Sequence, residues 1–315
     1  NMCMKPIVIC GPTASGKTEL ALFLARRLGG EIISADSRQT YKYLTAGTAK
    51  PAGQWQAGRY LVEETPYHLV DFLEPQEVFN AGAFVQKARQ LWLENPQTPF
   101  IFAGGTGMWL QAYFVGMDNL PPSTPQTRQR LEDLLARQGK EGVHRVLETL
   151  DPQSAAQIPV GNIQRTMRAV ELCWLTGKKA SQVRSGKFHT LPDPQKAAFV
   201  YLNWDKTALD ERIRLRTQAI FEPMCREAQA LLAQDVPPEA PALKSLGYPQ
   251  ALAYLEGRLN AQEAQEQIRL LTRQYAKRQR TWFNRYTNAL RLDLQTVPDF
   301  NLPELAEKIC RFSGI

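Results

Sequence analysis

The eight residues Gly11-Pro12-Thr13-Ala14-Ser15-Gly16-Lys17-Thr18 fit the spacing G-x-x-x-x-G-K-[ST] in full. Such a turn aims backbone N–H groups at anionic oxygens, Lys17 adds a point charge, and the Thr18 hydroxyl can take magnesium. The chemistry is capture of a diphosphate. Asp36, opening Asp36-Ser37-Arg38-Gln39, can accept a proton, reach a metal through water, or cap a turn. In Gly104-Gly105-Thr106 the glycines allow close backbone approach, and Thr106 offers a hydroxyl or a helix cap. Between Gln267 and Leu292 stand seven Lys or Arg and no Asp or Glu, with Tyr275, Trp282, Phe283 and Tyr286 interleaved. That mixture suits phosphates and exposed bases. Arg165 and Arg168 share a helix face, and Arg212, Arg214 and Arg216 form a cluster able to clamp a diphosphate or brace a lid.

A strand over Lys5–Cys10 leads into the glycine-rich loop, and a helix over Glu19–Leu28 leads out. Glu31–Ala35 is a second strand and delivers Asp36. Residues 41–80, rich in Gly, Pro and Tyr, read as irregular. A helix over Ala81–Glu94 precedes a buried strand, Pro99–Ala103, which delivers Gly104 to Thr106; Met108–Val115 is helical again. This alternation predicts a parallel sheet with helices on both faces, whose ligands bind beyond the carboxyl ends of the strands. The loop, Asp36 and Thr106 all belong at that edge. No acid follows Pro99–Ala103, where an ordinary P-loop hydrolase often places its magnesium-holding Asp. From Pro121-Pro122 strand signals vanish, and helices are expected over Thr127–Arg137, Glu141–Leu150 and Asn162–Thr176. A strand over Ala197–Leu202 and long helices from Ala208 onward follow. The fold class is α/β: a P-loop kinase-like parallel sheet flanked by helices, over residues 1–120 and 193–315, with an inserted all-helical domain at 121–192.

Of the 315 residues 43% are apolar, enough for a sizeable core, and a net charge of +7 permits a polyanionic partner. Cys3, Cys10, Cys173, Cys225 and Cys310 are scattered without a C-x-x-C pair. Neither a disulfide framework nor a zinc knuckle follows, and a reduced, cytoplasmic setting fits. His68, His144 and His189 lack ligand spacing and read as structural. No stretch approaches the roughly 18 apolar residues of a membrane span. The N-terminal apolar run is too short for a signal peptide. Asn1 ahead of Met2 reads as a foreign remnant.

Further segments stand at Ile33-Ser-Ala-Asp-Ser-Arg-Gln39, Gly47-Thr-Ala-Lys-Pro51, Tyr67-His-Leu-Val-Asp71, Arg168-Ala-Val-Glu171, Thr176-Gly-Lys178, Leu246-Gly-Tyr248, Thr272-Arg-Gln-Tyr-Ala-Lys-Arg-Gln279 and Thr281-Trp-Phe283. With the P-loop, and in this order, they make the chain resemble the tRNA dimethylallyltransferases (isopentenyl-tRNA transferases), bacterial type, from end to end. The resemblance implies transfer of a prenyl group from dimethylallyl diphosphate to the exocyclic amine of an adenine. That base lies directly 3′ of the anticodon in tRNAs reading codons that begin with U. It implies that the P-loop, Gly11 to Thr18, holds prenyl diphosphate rather than ATP. The catalytic groups implied are Asp36, Thr18, Lys17 and Arg216, with magnesium on Thr18. The tRNA anticodon stem-loop would meet Asp36, Ser37, Arg38, Gln39, Thr106, Arg128, Gln164, Arg165, Arg168, Lys244, Gly247, Tyr248, Lys277, Arg278, Arg280 and Trp282. A cytoplasmic monomer that does not contact membranes is the corresponding expectation. The chain departs from the family at Pro249, where a cation commonly follows Gly-Tyr, and it lacks the zinc finger of eukaryotic members. The residues alone also accommodate an adenylate isopentenyltransferase, a P-loop small-molecule kinase, or a non-catalytic RNA-binding protein. Intact Lys17, Thr18 and Asp36 count against the last.

Overall fold

The computed structural model describes residues 4–315; Asn1, Met2 and Cys3 lie outside the described residues. In chain order the main elements are β1 (Ile7–Cys10), α1 (Lys17–Leu28), β2 (Glu31–Ser34), β3 (Gln54–Gln56), β4 (Arg59–Val62), β5 (Thr65–His68), α2 (Ala81–Glu94), β6 (Phe100–Gly104) and α3 (Gly107–Phe114). They continue with α4 (Pro125–Leu150), α5 (Pro152–Gln157), α6 (Ile163–Thr176), α7 (Ala180–Val183), β7 (Ala198–Trp204), α8 (Lys206–Leu232), α9 (Tyr248–Leu255), α10 (Ala261–Phe283), β8 (Leu290–Leu294) and α11 (Leu302–Ser313). The chain divides into two compact units. One holds the residues up to Val115 and those from Leu191 to Ile315; the other is Gly116–Thr190.

The larger unit is built on a sheet of order β3-β4-β5-β2-β6-β1-β7-β8. From β5 to β8 the neighbours are parallel, while β3, β4 and β5 form antiparallel hairpins. Side chains alternate across a strand, so Ile7 and Ile9 enter one core layer and Val8 and Cys10 the other. Both faces are covered, which is why β1 and β6 read as unbroken apolar runs. Leu20, Leu24, Leu305 and Ile309, from α1 and α11, fill the first layer. Phe84, Trp109 and Leu110, from α2 and α3, fill the second together with Phe283 and Tyr286. A further cluster joins α8, α9 and the first half of α10 through Met224, Tyr248 and Ile268.

Two expectations are corrected. Residues 41–80 are not irregular throughout, since they contain β3, β4 and β5. These strands have three or four residues, and the turn between β4 and β5 is Glu63-Glu64, both at positive φ (47° and 70°). Such turns normally announce themselves with Asn or Gly; this one does not. The C-terminal part is not all helix either, because β8 adds an edge strand beside β7. Its Leu-Arg-Leu-Asp-Leu alternation buries Leu292 and Leu294 and exposes Arg291 and Asp293.

In the smaller unit the two helices expected over 127–150 run on as α4, kinked at Gly139. Leu131, Val143, Leu147, Val170 and Leu172 form its core. The buried Asp151 carboxylate accepts hydrogen bonds from the N–H and hydroxyl of both Ser154 and Ser181, which ties α5 to α7.

The sheet places the carboxyl ends of β2, β6 and β1 side by side. Ala35 N–H donates to the Ala103 carbonyl at 2.8 Å, and Thr106 N–H donates back to the Ala35 carbonyl at 3.0 Å. A Cβ at Gly104 would run into that Ala35 carbonyl, so only glycine permits the approach. Gly104→Ala should therefore destabilise the protein by about 1–3 kcal/mol through forced backbone shifts. Urea midpoints measure this, and a variant as stable as its parent would show that the approach tolerates a side chain.

Candidate active site

The glycine-rich turn between β1 and α1 has its polarity imposed by side chains around it. Lys17 Nζ donates to the carbonyls of Gly11 (3.0 Å) and Pro12 (2.7 Å). Arg212 Nε donates to the Ala14 carbonyl at 2.8 Å, and Trp204 Nε1 donates to that of Ser15 at 2.9 Å. With these carbonyls occupied, the N–H groups from Ala14 to Thr18 find no acceptor among the described residues. The Ser15 hydroxyl is buried without a partner among them. The free donors coincide with the N-terminus of α1, where the helix dipole adds positive potential. The result is a cradle for an anion.

Asp36 lies just past β2. Its Oδ1 accepts from the N–H groups of Arg38 (2.9 Å) and Gln39 (3.3 Å), so one oxygen holds the turn. Oδ2 accepts no hydrogen bond among the described residues. Arg216, from α8, donates to the Thr13 hydroxyl at 2.8 Å and to the Gly47 carbonyl at 3.3 Å. Burial pushes the Lys17 ammonium down to about 8, and the nearby Asp36 charge opposes that push. Arg216 is lowered by burial and supported by Asp36 in the same way. Lys17, Arg216 and Asp36 thus form one electrostatic group. Thr106 occupies the cap position of α3 without a side-chain cap bond; its hydroxyl accepts from Ser37 N–H at 3.0 Å and fastens the Asp36 turn to β6.

Other candidate residues fall as follows. Ser37 and Arg38 are half-buried, and Arg38 donates to the Pro241 carbonyl at 3.1 Å. Gln39 is buried and holds the Thr48 and Ala49 carbonyls. Lys244 is exposed, but Gly247 and Tyr248 are buried, Tyr248 at 0% exposure. The Tyr248 hydroxyl accepts from Gly47 N–H and donates to Glu227, whose carboxylate also takes Thr45 and Ala46 N–H. Gly247 and Tyr248, expected at the tRNA, are buried here, and the Tyr248 hydroxyl shapes the loop whose Gly47 carbonyl holds Arg216. On α10 Lys277 and Arg278 are exposed, while Arg280 and Trp282 are half-buried. Arg269, Arg273 and Arg291 are spent on ion pairs with Glu266, Asp210 and Asp293. Phe283 and Tyr286 are core residues, so the aromatics of this segment are not a row of exposed stacking platforms. The cluster Arg212, Arg214 and Arg216 splits three ways, with Arg214 paired to Glu211 at the surface. In the smaller unit Arg128, Gln164 and Arg165 are exposed, whereas Arg168 is committed to Glu171 and the Pro121 carbonyl.

The roles missed from sequence are those of Glu227 and Trp204, of Gln279, which stands in a motif segment without a role of its own, and of Arg212, read only as part of a clamp or lid brace. Each acts on backbone atoms of a distant loop, a contact that leaves no local spacing signal. Among the described residues no group of three or more His, Cys, Asp or Glu can hold a metal, and no helix is long and apolar enough to cross a membrane.

The architecture is that of a P-loop α/β transferase with a helical insertion. The sequence model of the IPP transferase family matches residues 39–286, and that of isopentenyl transferase matches residues 4–59. The chain therefore belongs to the IPP transferase family. It is 48% identical over 289 residues to the tRNA dimethylallyltransferase of Elusimicrobium minutum, covering 91% of this chain and 94% of that one. The corresponding enzyme of Myxococcus xanthus is 40% identical, with 90% of each chain covered. The crystal structure of the full-length tRNA isopentenylpyrophosphate transferase from Bacillus halodurans superposes with a TM-score of 0.68 at 29% identity, over 99% of this chain and 97% of that one.

The depressed Lys17 gives a pH signature. Below about 8 the ammonium is charged in the free protein, and above that it is neutral. An anion prefers the charged form, so binding above this point must take up a proton. Affinity for an unreactive diphosphate ester should be level just below that pH and fall by about tenfold per unit above it. Calorimetry across pH 7–10 (roughly, spanning the ordinary lysine range) measures the slope, and Lys17→Ala should abolish it. A level profile in the parent protein would remove Lys17 from the anion site.

Proposed function

We propose that this chain transfers a dimethylallyl group from dimethylallyl diphosphate to the exocyclic amine of the adenine directly 3′ of the anticodon, in tRNAs reading codons that begin with U. The observation that carries the proposal is Asp36, with one oxygen free, electrostatically joined to Lys17 and Arg216 at a donor-lined anion cradle. The amine nitrogen forms its bond to the primary allylic carbon as the carbon–oxygen bond to diphosphate breaks. The electron pair leaves on the diphosphate oxygen, and the amine proton passes to Asp36 Oδ2. The N–H groups from Ala14 to Thr18, with Lys17 and Arg216, meet the charge that develops on the leaving group. Thr18 and Asp36 are oxygen donors too few to cage a metal alone, which suits magnesium bound mainly by water and diphosphate. Held there, the ion would neutralise leaving-group charge. The target base must leave the anticodon-loop stack to be reached. Exposed Lys277 and Arg278 on α10, Lys244, and Arg128, Gln164 and Arg165 in the helical unit supply phosphate and loop contacts. The free, buried cysteines Cys10, Cys173, Cys225 and Cys310 support a reducing, cytoplasmic setting.

Incubation with labelled dimethylallyl diphosphate or labelled ATP, each with bulk tRNA and with AMP, tests the reaction. Label should move only from the prenyl donor and only to tRNA. Transfer to AMP would make it an adenylate prenyltransferase, and phosphoryl transfer from ATP would make it a kinase. Asp36→Asn should slow single-turnover transfer by about 10²–10⁴-fold, the reach of general-base catalysis, while tRNA affinity stays within about threefold. A wild-type rate in that variant would leave Asp36 without a chemical part.

The exposed cations of α10 make a separate prediction. Each phosphate contact on a single-stranded loop contributes a slope of roughly −0.7 in log affinity against log salt. Neutralising Lys277 and Arg278 together should flatten the tRNA slope by about 1.4 and leave diphosphate affinity unchanged. An unaltered slope would show that this face is merely solvated.

A further inference from the structure

We infer that Gln279 is a positioning residue for this reaction: its side-chain amide clasps the diphosphate loop to the β6–α3 loop and so fixes the distance between the two substrates' subsites. The inference rests on the function proposed above and concerns the same site. Gln279 stands in α10 beside the exposed Lys277 and Arg278, yet it turns inward and is only 6% exposed. Its Oε1 accepts from Thr13 N–H at 2.8 Å, and its Nε2 donates to the Gly105 carbonyl at 3.1 Å. The two partners fix which end of the amide is which, since an N–H needs an acceptor and a carbonyl needs a donor. A carboxamide supplies both at one tip; a carboxylate, an ammonium or a thioether does not.

The two tethered points belong to different substrates. Thr13 opens the anion cradle and carries the hydroxyl that receives Arg216. Gly105 is followed by Thr106, whose hydroxyl holds the turn of Asp36 through Ser37 N–H. Gln279 therefore joins the loop that seats the leaving group to the loop that seats the proton acceptor. It uses the Thr13 N–H and leaves those from Ala14 to Thr18 free. Gly105 accommodates the clasp because a Cβ there would strike the Gln279 amide. Reacting atoms held by two loops depend on the spacing of those loops, and a misplacement of about 1 Å can cost about 10²-fold in rate.

The test replaces Gln279 with Met, of similar volume but without the amide, and with Asn, which keeps the amide but is one methylene too short to span both partners. Either variant that melts cooperatively serves. Single-turnover transfer with both substrates saturating should fall by about 10²-fold, while dissociation constants for an unreactive prenyl diphosphate analogue and for an anticodon stem-loop stay within about threefold. Amide hydrogen exchange should quicken at Thr13 and stay slow along β1. A folded variant that turns over at the wild-type rate would reduce Gln279 to packing. A loss of diphosphate affinity matching the loss of rate would make it part of the binding site instead. Failure of the wild-type protein itself to transfer the prenyl group would overturn the function, not the clasp, which the exchange measurement reads independently.

Discussion

The site depends on one constraint: the carbonyl groups of the glycine-rich turn must be kept away from the anion. A peptide carries a donor and an acceptor, and a loop free to rotate would present both. Here Lys17, Arg212 and Trp204 claim the carbonyls of Gly11, Pro12, Ala14 and Ser15. The N–H groups are thereby turned the other way. The donors come from α1, α8 and β7, elements far apart in sequence, so the cradle's polarity is set by tertiary structure rather than by the motif alone. Arg212 also lies over the Trp204 ring at 4.4 Å, so the two donors brace each other.

A second constraint follows from charge. A proton acceptor must stand near the reacting amine, while the leaving group needs cations, and bringing carboxylate and cations together in a partly buried cleft risks a closed ion pair. The structure separates the roles by giving each group a different tether. Lys17 is held by the loop's own carbonyls, Arg216 by Thr13 and Gly47, and Asp36 by the N–H groups of Arg38 and Gln39. The three groups feel one another electrostatically without any of them forming a direct ion pair with another. The Asp36 oxygen that is left over accepts no hydrogen bond among the described residues, as the proposed proton transfer requires.

What was legible in the sequence is what repeats locally. The P-loop, Asp36 and Gly104–Thr106 each sit at the end of an apolar run, and runs buried on both faces are unmistakable even in four residues. The parallel sheet followed from them. The β3–β5 hairpins escaped because their strands are minimal and Glu63-Glu64 gives no turn signal. The roles of Gln279, Glu227 and Tyr248, the last singled out only as a tRNA contact, escaped for another reason: these side chains satisfy backbone groups of loops more than 150 residues away in sequence. A polar residue among polar residues carries no periodic mark of being buried. Arg216 was singled out as a diphosphate contact, but the three-way divergence of Arg212, Arg214 and Arg216 needed the helix in place.

The basic segment shows how the two kinds of information combine. As composition, a run of cations with interleaved aromatics suggests a surface that stacks bases throughout. On α10 the helical period divides it. Phe283, with Tyr286 just beyond the helix, goes to the core and Arg273 to an ion pair, while Lys277 and Arg278 stay in solvent and Gln279 turns to the P-loop. Adjacent residues 277, 278 and 279 therefore face different tasks, because each step around a helix is about 100°. One helix thus exposes cations on one side and turns an amide onto the P-loop and the β6–α3 loop on the other. The inner face meets the Thr13 N–H and the Gly105 carbonyl through Gln279, so the exposed cations and the proposed clasp stand on one helix.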